Sequence, residues 1–289
     1  MKNENISLFE DFAFKDTTKV VKPKREKKKI EFNHPNFEQA LAGFKYEKFE
    51  NGIVFNEDCM DVLKVLNRNS IEVCVTSPPY NLCKRYTDYK STKTSASMKE
   101  KYDRWYFDEM PEWEYQGWQQ SIIHSLMRVC HSSIFYNHKV RFAWHNRNIY
   151  RTESNLHHPM DWLSRFPIWC EIIWDRCGIG NPTRRFHTQD ERIYQIGKPR
   201  KWSNTEGLTN IWRIPPSRNE GHVCTFPEKL VENCILPTTD EGDYIIDPFL
   251  GVGTSAVVAV KNNRKFIGIE KNEEYFEKAC ENIEKASKL

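Results

Sequence analysis

Two adjacent prolines, Pro78 and Pro79, stand between Ser77 and Tyr80 in the run Thr76 to Asn81 (TSPPYN), directly after the apolar run Ile71 to Val75 (IEVCV). Proline fixes the chain in an extended form and has no amide hydrogen, so this strand end offers hydroxyl and carbonyl acceptors beside an aromatic ring. A planar group carrying N–H donors, such as the exocyclic amine of a nucleobase, matches that offer. A second run, Asp247 to Ser255 (DPFLGVGTS), lies between an apolar strand and a helical stretch. Glycines at 251 and 253 let the backbone approach a ligand closely at the carboxyl edge of a sheet, where open α/β folds bind cofactors. One helix and one strand later comes Glu270, where nucleotide-binding folds put a carboxylate for ribose hydroxyls. The turn reads G-x-G followed by Thr-Ser, not G-x-G-x-x-G, so it speaks for an adenosine-bearing ligand without speaking for a dinucleotide. Alone, each run has a plain structural alternative: a proline-terminated strand with a packed tyrosine, or an ordinary glycine turn.

The elements that must position these runs follow from hydrophobic period. Ile53 to Phe55 predicts a short strand that passes through Asp58 into a helix marked by Met60, Leu63, Val65 and Leu66, and Ile71 to Val75 predicts a buried strand parallel to it. Leu82 to Arg104 lacks a sustained period and predicts a long functional loop. A helix is expected over Pro111 to Val129 and a strand over Ser133 to Tyr136. Lys139 to Glu220 mixes strand-like pieces, Glu171 to Trp174 and Glu191 to Ile196, with a turn at Gly178 to Pro182, and is expected as an inserted subdomain. Then come a helix over Pro227 to Leu236, a strand over Asp243 to Asp247, a helix over Thr254 to Lys261, a strand over Phe266 to Ile269 and an amphipathic helix over Glu273 to Ala286. The expected class is α/β with a mostly parallel, doubly wound sheet. The expected organisation is a basic, flexible arm over 1–45, a first half of the main domain over 46–138, the insertion over 139–220 and a second half over 221–289.

With 289 residues of which 39% are hydrophobic, the chain can bury one large core plus a modest insertion. It has no apolar run long enough to span a bilayer, and its first ten residues do not resemble a signal peptide. Its nine cysteines, an odd number, then read as reduced thiols, and the expected location is the cytoplasm. The net charge of +3 matters less than its distribution. Basic residues gather in Lys19 to Lys29 and in Lys139 to Glu220, where 14 Lys and Arg face 8 Asp and Glu among six tryptophans. That mixture suits contact with nucleic acid, and it equally suits a solvated face over core tryptophans.

Taken together, TSPPY and DPFxGxGT resemble the signature of DNA methyltransferases that methylate exocyclic amines. Their order in the chain is similar to that of the circularly permuted β class. Asn56 to Cys59 (NEDC) resembles the acidic strand end that this family places near the cofactor adenine. His222 to Leu230 (HVCTFPEKL) resembles its H-x-x-x-F-P motif, with Cys224 where a small residue is common. The resemblance implies a Rossmann-like methyltransferase fold and S-adenosyl-L-methionine as cofactor, without a metal. It assigns the cofactor to Asp58, Thr76, Phe226, Pro227, Asp247, Pro248, Phe249, Gly251, Gly253, Thr254, Ser255 and Glu270. It assigns catalysis to Ser77, Pro78, Pro79 and Tyr80: the Ser77 hydroxyl and the Pro78 carbonyl accept the two amine N–H groups, and Tyr80 stacks on a flipped base. Serine at 77 implies cytosine N4 as acceptor, with adenine N6 the alternative. Methylation of RNA or of a protein amide is a further reading, against which stands serine where those enzymes carry asparagine. Cytosine C5 chemistry is excluded, because its nucleophilic cysteine follows a proline and no Pro-Cys dipeptide occurs. The implied partner is double-stranded DNA, with a cognate restriction endonuclease as companion, no membrane, and a dimer left open. Lys84 and Arg85, in a segment Lys84 to Arg104 that could close over DNA, and Arg184 and Arg185 beside Phe186 are the candidate DNA contacts.

Overall fold

A computed structural model describes residues 41–81, 110–142, 156–178, 186, 188–204, 206–216 and 226–288. The basic arm apart from 41–45, the loop Lys84 to Arg104, the turn beyond Gly178 and the segment His222 to Thr225 lie outside the described residues. In chain order the elements are β1 (Tyr46–Phe49), β2 (Gly52–Phe55), α1 (Cys59–Val65), β3 (Val73–Thr76), α2 (Glu112–Val129), β4 (Ile134–His138), β5 (Arg141–Phe142) and β6 (Leu156–His157). There follow α3 (Met160–Leu163), β7 (Ile168–Asp175), β8 (Asp190–Ile196), β9 (Ile211–Arg213), α4 (Glu228–Ile235), β10 (Tyr244–Asp247), α5 (Thr254–Lys261), β11 (Lys265–Ile269) and α6 (Glu273–Ser287).

Nine strands form one sheet in the order β1-β2-β11-β10-β3-β4-β8-β7-β9. The five from β2 to β4 are parallel neighbours. Parallel strands covered on both faces must be apolar on both, and here alternate residues enter two different cores. Cys74, Ile246 and Ile267 join Leu63, Ile122 and Leu126 of α1 and α2. Val73, Val75, Ile245 and Phe266 join residues of α4, α5 and α6. The result is a three-layer α/β/α arrangement, the doubly wound class expected from the sequence.

Two helix starts show why these segments coil where they do. Asp58 precedes α1 and accepts from Met60 N at 2.9 Å, and Asn272 precedes α6 and accepts from Tyr275 N at 3.0 Å, so each satisfies an otherwise orphaned amide. The strand after α1 begins later than IEVCV predicts. Ile71 makes only an isolated bridge to Cys130, and regular pairing starts at Val73. The hairpin of β1 and β2 is not foreseen, because β1 is an exposed edge strand (YEKF) without apolar alternation. From the stretch 139–220, β7, β8 and β9 continue the main sheet beyond β4, and Ile172, Trp174, Ile193 and Trp212 share the core that holds Val75 and Phe135.

The position of the site follows from the strand order. β10 passes through α5 to β11 on one side, while β3 passes through α2 to β4 on the other. Adjacent strands whose connections diverge leave a crevice at their carboxyl ends, and ligands bind in such crevices. The register Ile245 with Val73 and Ile246 with Cys74 brings Asp247 and Thr76 to that edge together.

Candidate active site

Thr76 Oγ1 donates to Asp247 Oδ1 at 2.7 Å, which ties the double-proline turn to the glycine turn across 171 residues of chain. The Asp247 carboxylate is buried, with 6% of its surface exposed. It also accepts from Phe249 N at 3.0 Å through Oδ1 and from Ser255 Oγ at 2.7 Å through Oδ2. Burial pushes its carboxyl upward while the bonds from Ser255, Thr76 and Phe249 oppose that shift. Asp247 and Ser255 therefore act as the clasp of the turn, holding it in shape with their own polar atoms.

The turn itself needs its glycines. Gly251 has φ +56° and Gly253 has φ +92°, backbone states that side chains resist. At Gly253 a Cβ would also sit 3.1 Å from Ala279 of α6. Gly253 leads into α5 without a side-chain cap, so the first amides of that helix face the turn uncovered by a capping group. Pro248 is buried, Thr254 is half-buried, and the half-buried Phe249 ring meets Trp118 of α2 edge-on at 5.7 Å.

Glu270 stands at the end of β11, where its Oε2 accepts from Gly251 N and its Oε1 from Asn272 N, both at 2.8 Å. Each oxygen keeps a lone pair for a further donor. Burial raises this carboxyl from 4.5 to about 7, the bonds from Asn272 and Gly251 opposing the rise and the charge of Asp247 adding to it. Asn56 fastens the same corner from β2 by donating to the carbonyls of Glu270 and Lys271 at 3.0 and 3.2 Å. Asp58 lies at this corner too, where it caps α1 and pairs with Lys271 at 3.2 Å.

At the other turn the two proline carbonyls differ. Pro79 O already accepts from Tyr115 Oη at 2.8 Å and from Gln119 Nε2 at 3.2 Å. Pro78 O has no protein donor among the described residues and remains open. Behind this turn the Tyr115 oxygen also lies 2.7 Å from His138 Nε2, so its single proton is shared between that nitrogen and Pro79 O, and His138 Nδ1 donates to Lys139 O at 2.8 Å. Burial, with Arg141 and Lys139 nearby, pushes His138 down to about 3, so the imidazole is neutral and supports the turn without carrying charge. Asn81, at φ +52°, closes the turn by pairing its amide with Met110, donating to O at 2.8 Å and accepting from N at 2.9 Å.

Ser77 and Tyr80 sit together, their oxygens 2.8 Å apart. Four polar residues that the motifs do not mark surround them. Glu191 of β8 accepts from Tyr80 at 3.1 Å and from Asn137 Nδ2 of β4 at 2.9 Å, and Asn137 also donates to the Tyr80 hydroxyl. Arg176, just after β7, pairs with the second oxygen of Glu191 at 3.0 Å. Lys139 Nζ lies 5.1 Å from the centre of the Tyr80 ring. The one signal in the sequence is the polar pair Asn137 and His138 directly after the apolar run Ile134 to Tyr136, because polar residues at a strand's carboxyl end point to a site.

The structure thus gathers Thr76, Ser77, Pro78, Pro79 and Tyr80 with Asp247 to Ser255 and Glu270 along one sheet edge. Phe226 packs edge-on against Trp174 of β7 at 6.0 Å, and Pro227 precedes α4. Lys84, Arg85, Arg184 and Arg185 lie outside the described residues, and Phe186 beside the last pair is almost fully exposed. Among the described residues no cluster of side chains fits a metal ion, seven cysteines are free thiols, and no helix is long and apolar enough to cross a membrane.

A family model described as DNA methylase, of the N6/N4 type, matches residues 71–281. The chain is 27% identical over 267 residues to the type II methyltransferase M.BglII of Bacillus subtilis, a match covering 77% of this chain and 66% of that protein. It therefore spans just under two thirds of the length of that relative. Among solved structures, PvuII DNA methyltransferase, which is described as cytosine-N4-specific, superposes with a TM-score of 0.62 at 18% identity, covering 83% of this chain and 92% of the other. A Thermus thermophilus chain, described as a putative DNA modification methylase complexed with S-adenosyl-L-methionine, superposes with a TM-score of 0.55 at 21% identity, covering 80% and 92%. At these identities the likeness is one of fold, and that fold is the Rossmann-like one of DNA methyltransferases.

Proposed function

This chain belongs to the DNA methylase family, and we propose that it transfers a methyl group from S-adenosyl-L-methionine to the exocyclic N4 of cytosine in duplex DNA. The observation that carries the reading is the Thr76 to Asp247 hydrogen bond, which holds an acceptor-lined turn against a glycine turn at one crevice. The residues present fit the cofactor. Glu270 keeps lone pairs for a ribose diol in a buried setting that needs donors, and Phe249 and the uncovered start of α5 flank the same turn. When bound, S-adenosyl-L-methionine supplies an electrophilic methyl group on a positively charged sulfur.

The chain supplies orientation. An amine conjugated to a base ring is a weak nucleophile because its lone pair is delocalised. The Ser77 hydroxyl and the open Pro78 carbonyl would each accept one of its N–H groups, turning the nitrogen lone pair out of the ring plane toward the glycine turn. Pro79 O cannot serve, since Tyr115 and Gln119 occupy it. A base reaches this turn only after leaving the helix stack, and the Tyr80 ring would receive its face. On accepting the methyl group the amine would release one N–H proton to solvent, and the sulfur would keep the electron pair of the bond it gives up.

Serine at 77 favours cytosine N4, since the family resemblance pairs serine here with cytosine and aspartate with adenine. Lys84, Arg85, Arg184 and Arg185 are proposed phosphate or guanine contacts, and 139–220 the region that reads sequence. The test is nucleoside mass spectrometry of DNA incubated with the chain and cofactor, with N4-methylcytosine the expected product. N6-methyladenine would overturn the base assignment, and the absence of both would overturn the enzymatic reading.

A further inference from the structure

We propose that Glu191 is a positioning residue which, through Tyr80, sets the direction of the hydrogen bonds at Ser77 so that the serine hydroxyl meets the substrate amine as an acceptor. This inference rests on the amine-methylation reading above. A hydroxyl can give or take a hydrogen bond, and at an amine the two choices have opposite effects. An accepting Ser77 draws on an N–H and leaves the nitrogen lone pair for the methyl group. A donating Ser77 would occupy that lone pair and block attack.

The geometry decides the direction by counting protons. Glu191 is buried, with 6% of its surface exposed, and faces the Arg176 guanidinium at 3.0 Å, and a carboxylate paired with a cation accepts hydrogen bonds on both oxygens. The Tyr80 hydroxyl 3.1 Å from Glu191 Oε2 must therefore donate to it. That commits the one phenolic proton, so in the 2.8 Å contact between Ser77 and Tyr80 it is Ser77 that donates. Asn137 reinforces the order: its Nδ2 hydrogens go to Glu191 at 2.9 Å and to the Tyr80 oxygen, while Ser77 Oγ is farther away at 3.4 Å. Arg176 holds the other carboxylate oxygen at 3.0 Å and keeps the group from turning. With its own proton directed at Tyr80, Ser77 presents lone pairs to whatever enters the turn. Charge-assisted bonds of this kind are the stronger ones in proteins, so the carboxylate is well suited to anchor the chain of bonds.

The variants Glu191→Gln and Tyr80→Phe separate this role from packing. Glutamine keeps the volume but brings hydrogens that can face Tyr80 and reverse the chain. Phenylalanine keeps the stacking ring and releases the Ser77 proton. Single-turnover transfer from tritiated S-adenosyl-L-methionine to duplex DNA is measured for wild type, both variants and the double variant, beside the dissociation constants for cofactor and DNA. Each single change is expected to slow transfer by roughly 10- to 100-fold, the range of one charge-assisted bond, with both affinities held within about twofold. The double variant is expected to be no slower than the slower single one, because both break the same chain. Wild-type rates in either variant, losses that multiply in the double, or a loss that appears in DNA affinity instead of rate would each overturn the proposal. If Glu191→Gln fails to fold, Tyr80→Phe decides alone, since it leaves Glu191 bonded to Asn137 and Arg176. A wild-type chain that transfers no methyl group would instead overturn the functional reading and the relay with it.

Discussion

Lowering the pH from about 8 to about 6 is expected to weaken cofactor binding roughly tenfold through one group, the Glu270 carboxyl. Burial raises it from 4.5 to about 7, despite the amides of Asn272 and Gly251 that bond its charged form. Only that charged form offers both oxygens to ribose hydroxyls. With a value near 7 the charged fraction falls from about nine tenths to about one tenth across this interval, whereas an ordinary glutamate would stay charged throughout. Stability moves the other way. The folded chain without cofactor holds a proton on Glu270 between 4.5 and about 7 that the unfolded chain releases, so it becomes more stable as pH falls through that window. Isothermal titration of S-adenosyl-L-methionine into wild type and Glu270→Gln at about pH 6, 7 and 8 measures the effect, since the ligand's own titration is common to both and cancels in the ratio. Wild type should bind more tightly at the high end and lose that advantage as the pH falls. Parallel pH dependence in the two proteins would refute the argument that Glu270 holds the cofactor in its charged form.

Thr76→Val keeps the side-chain shape but removes a donor from the buried Asp247 carboxylate. It is expected to cost about 1–3 kcal/mol in urea unfolding, the penalty for an under-satisfied buried group, and an unchanged midpoint would deny the clasp any net value. Gly253→Ala must place a side chain at φ +92° and 3.1 Å from Ala279. A loss of about 1–3 kcal/mol is expected together with weaker cofactor binding, and a variant as stable and as avid as wild type would show that the turn tolerates another shape.

The two turns that meet at the crevice could be read from the sequence because their character is local. Consecutive prolines remove donors wherever they stand, and a glycine pair between an apolar strand and a helical period marks a close-approach turn in any context. Hydrophobic period likewise located the helices that became α2, α4 and α6, since each buries one face, while α5 shows as an apolar run that is buried on nearly every side. It failed for β1, an exposed strand with no buried face to leave a pattern, and it did not anticipate that β7 to β9 extend the main sheet. Nor did it reveal that Pro79 O is occupied while Pro78 O meets no donor among the described residues, or that Glu191 reaches Tyr80 across 111 residues. Periodicity states which face of an element is buried but not which element lies beside it. Partners of buried polar groups depend on strand order and register, so Thr76 and Asp247 become a clasp, and Glu191 an anchor, only once β3 lies against β10 and β4 against β8.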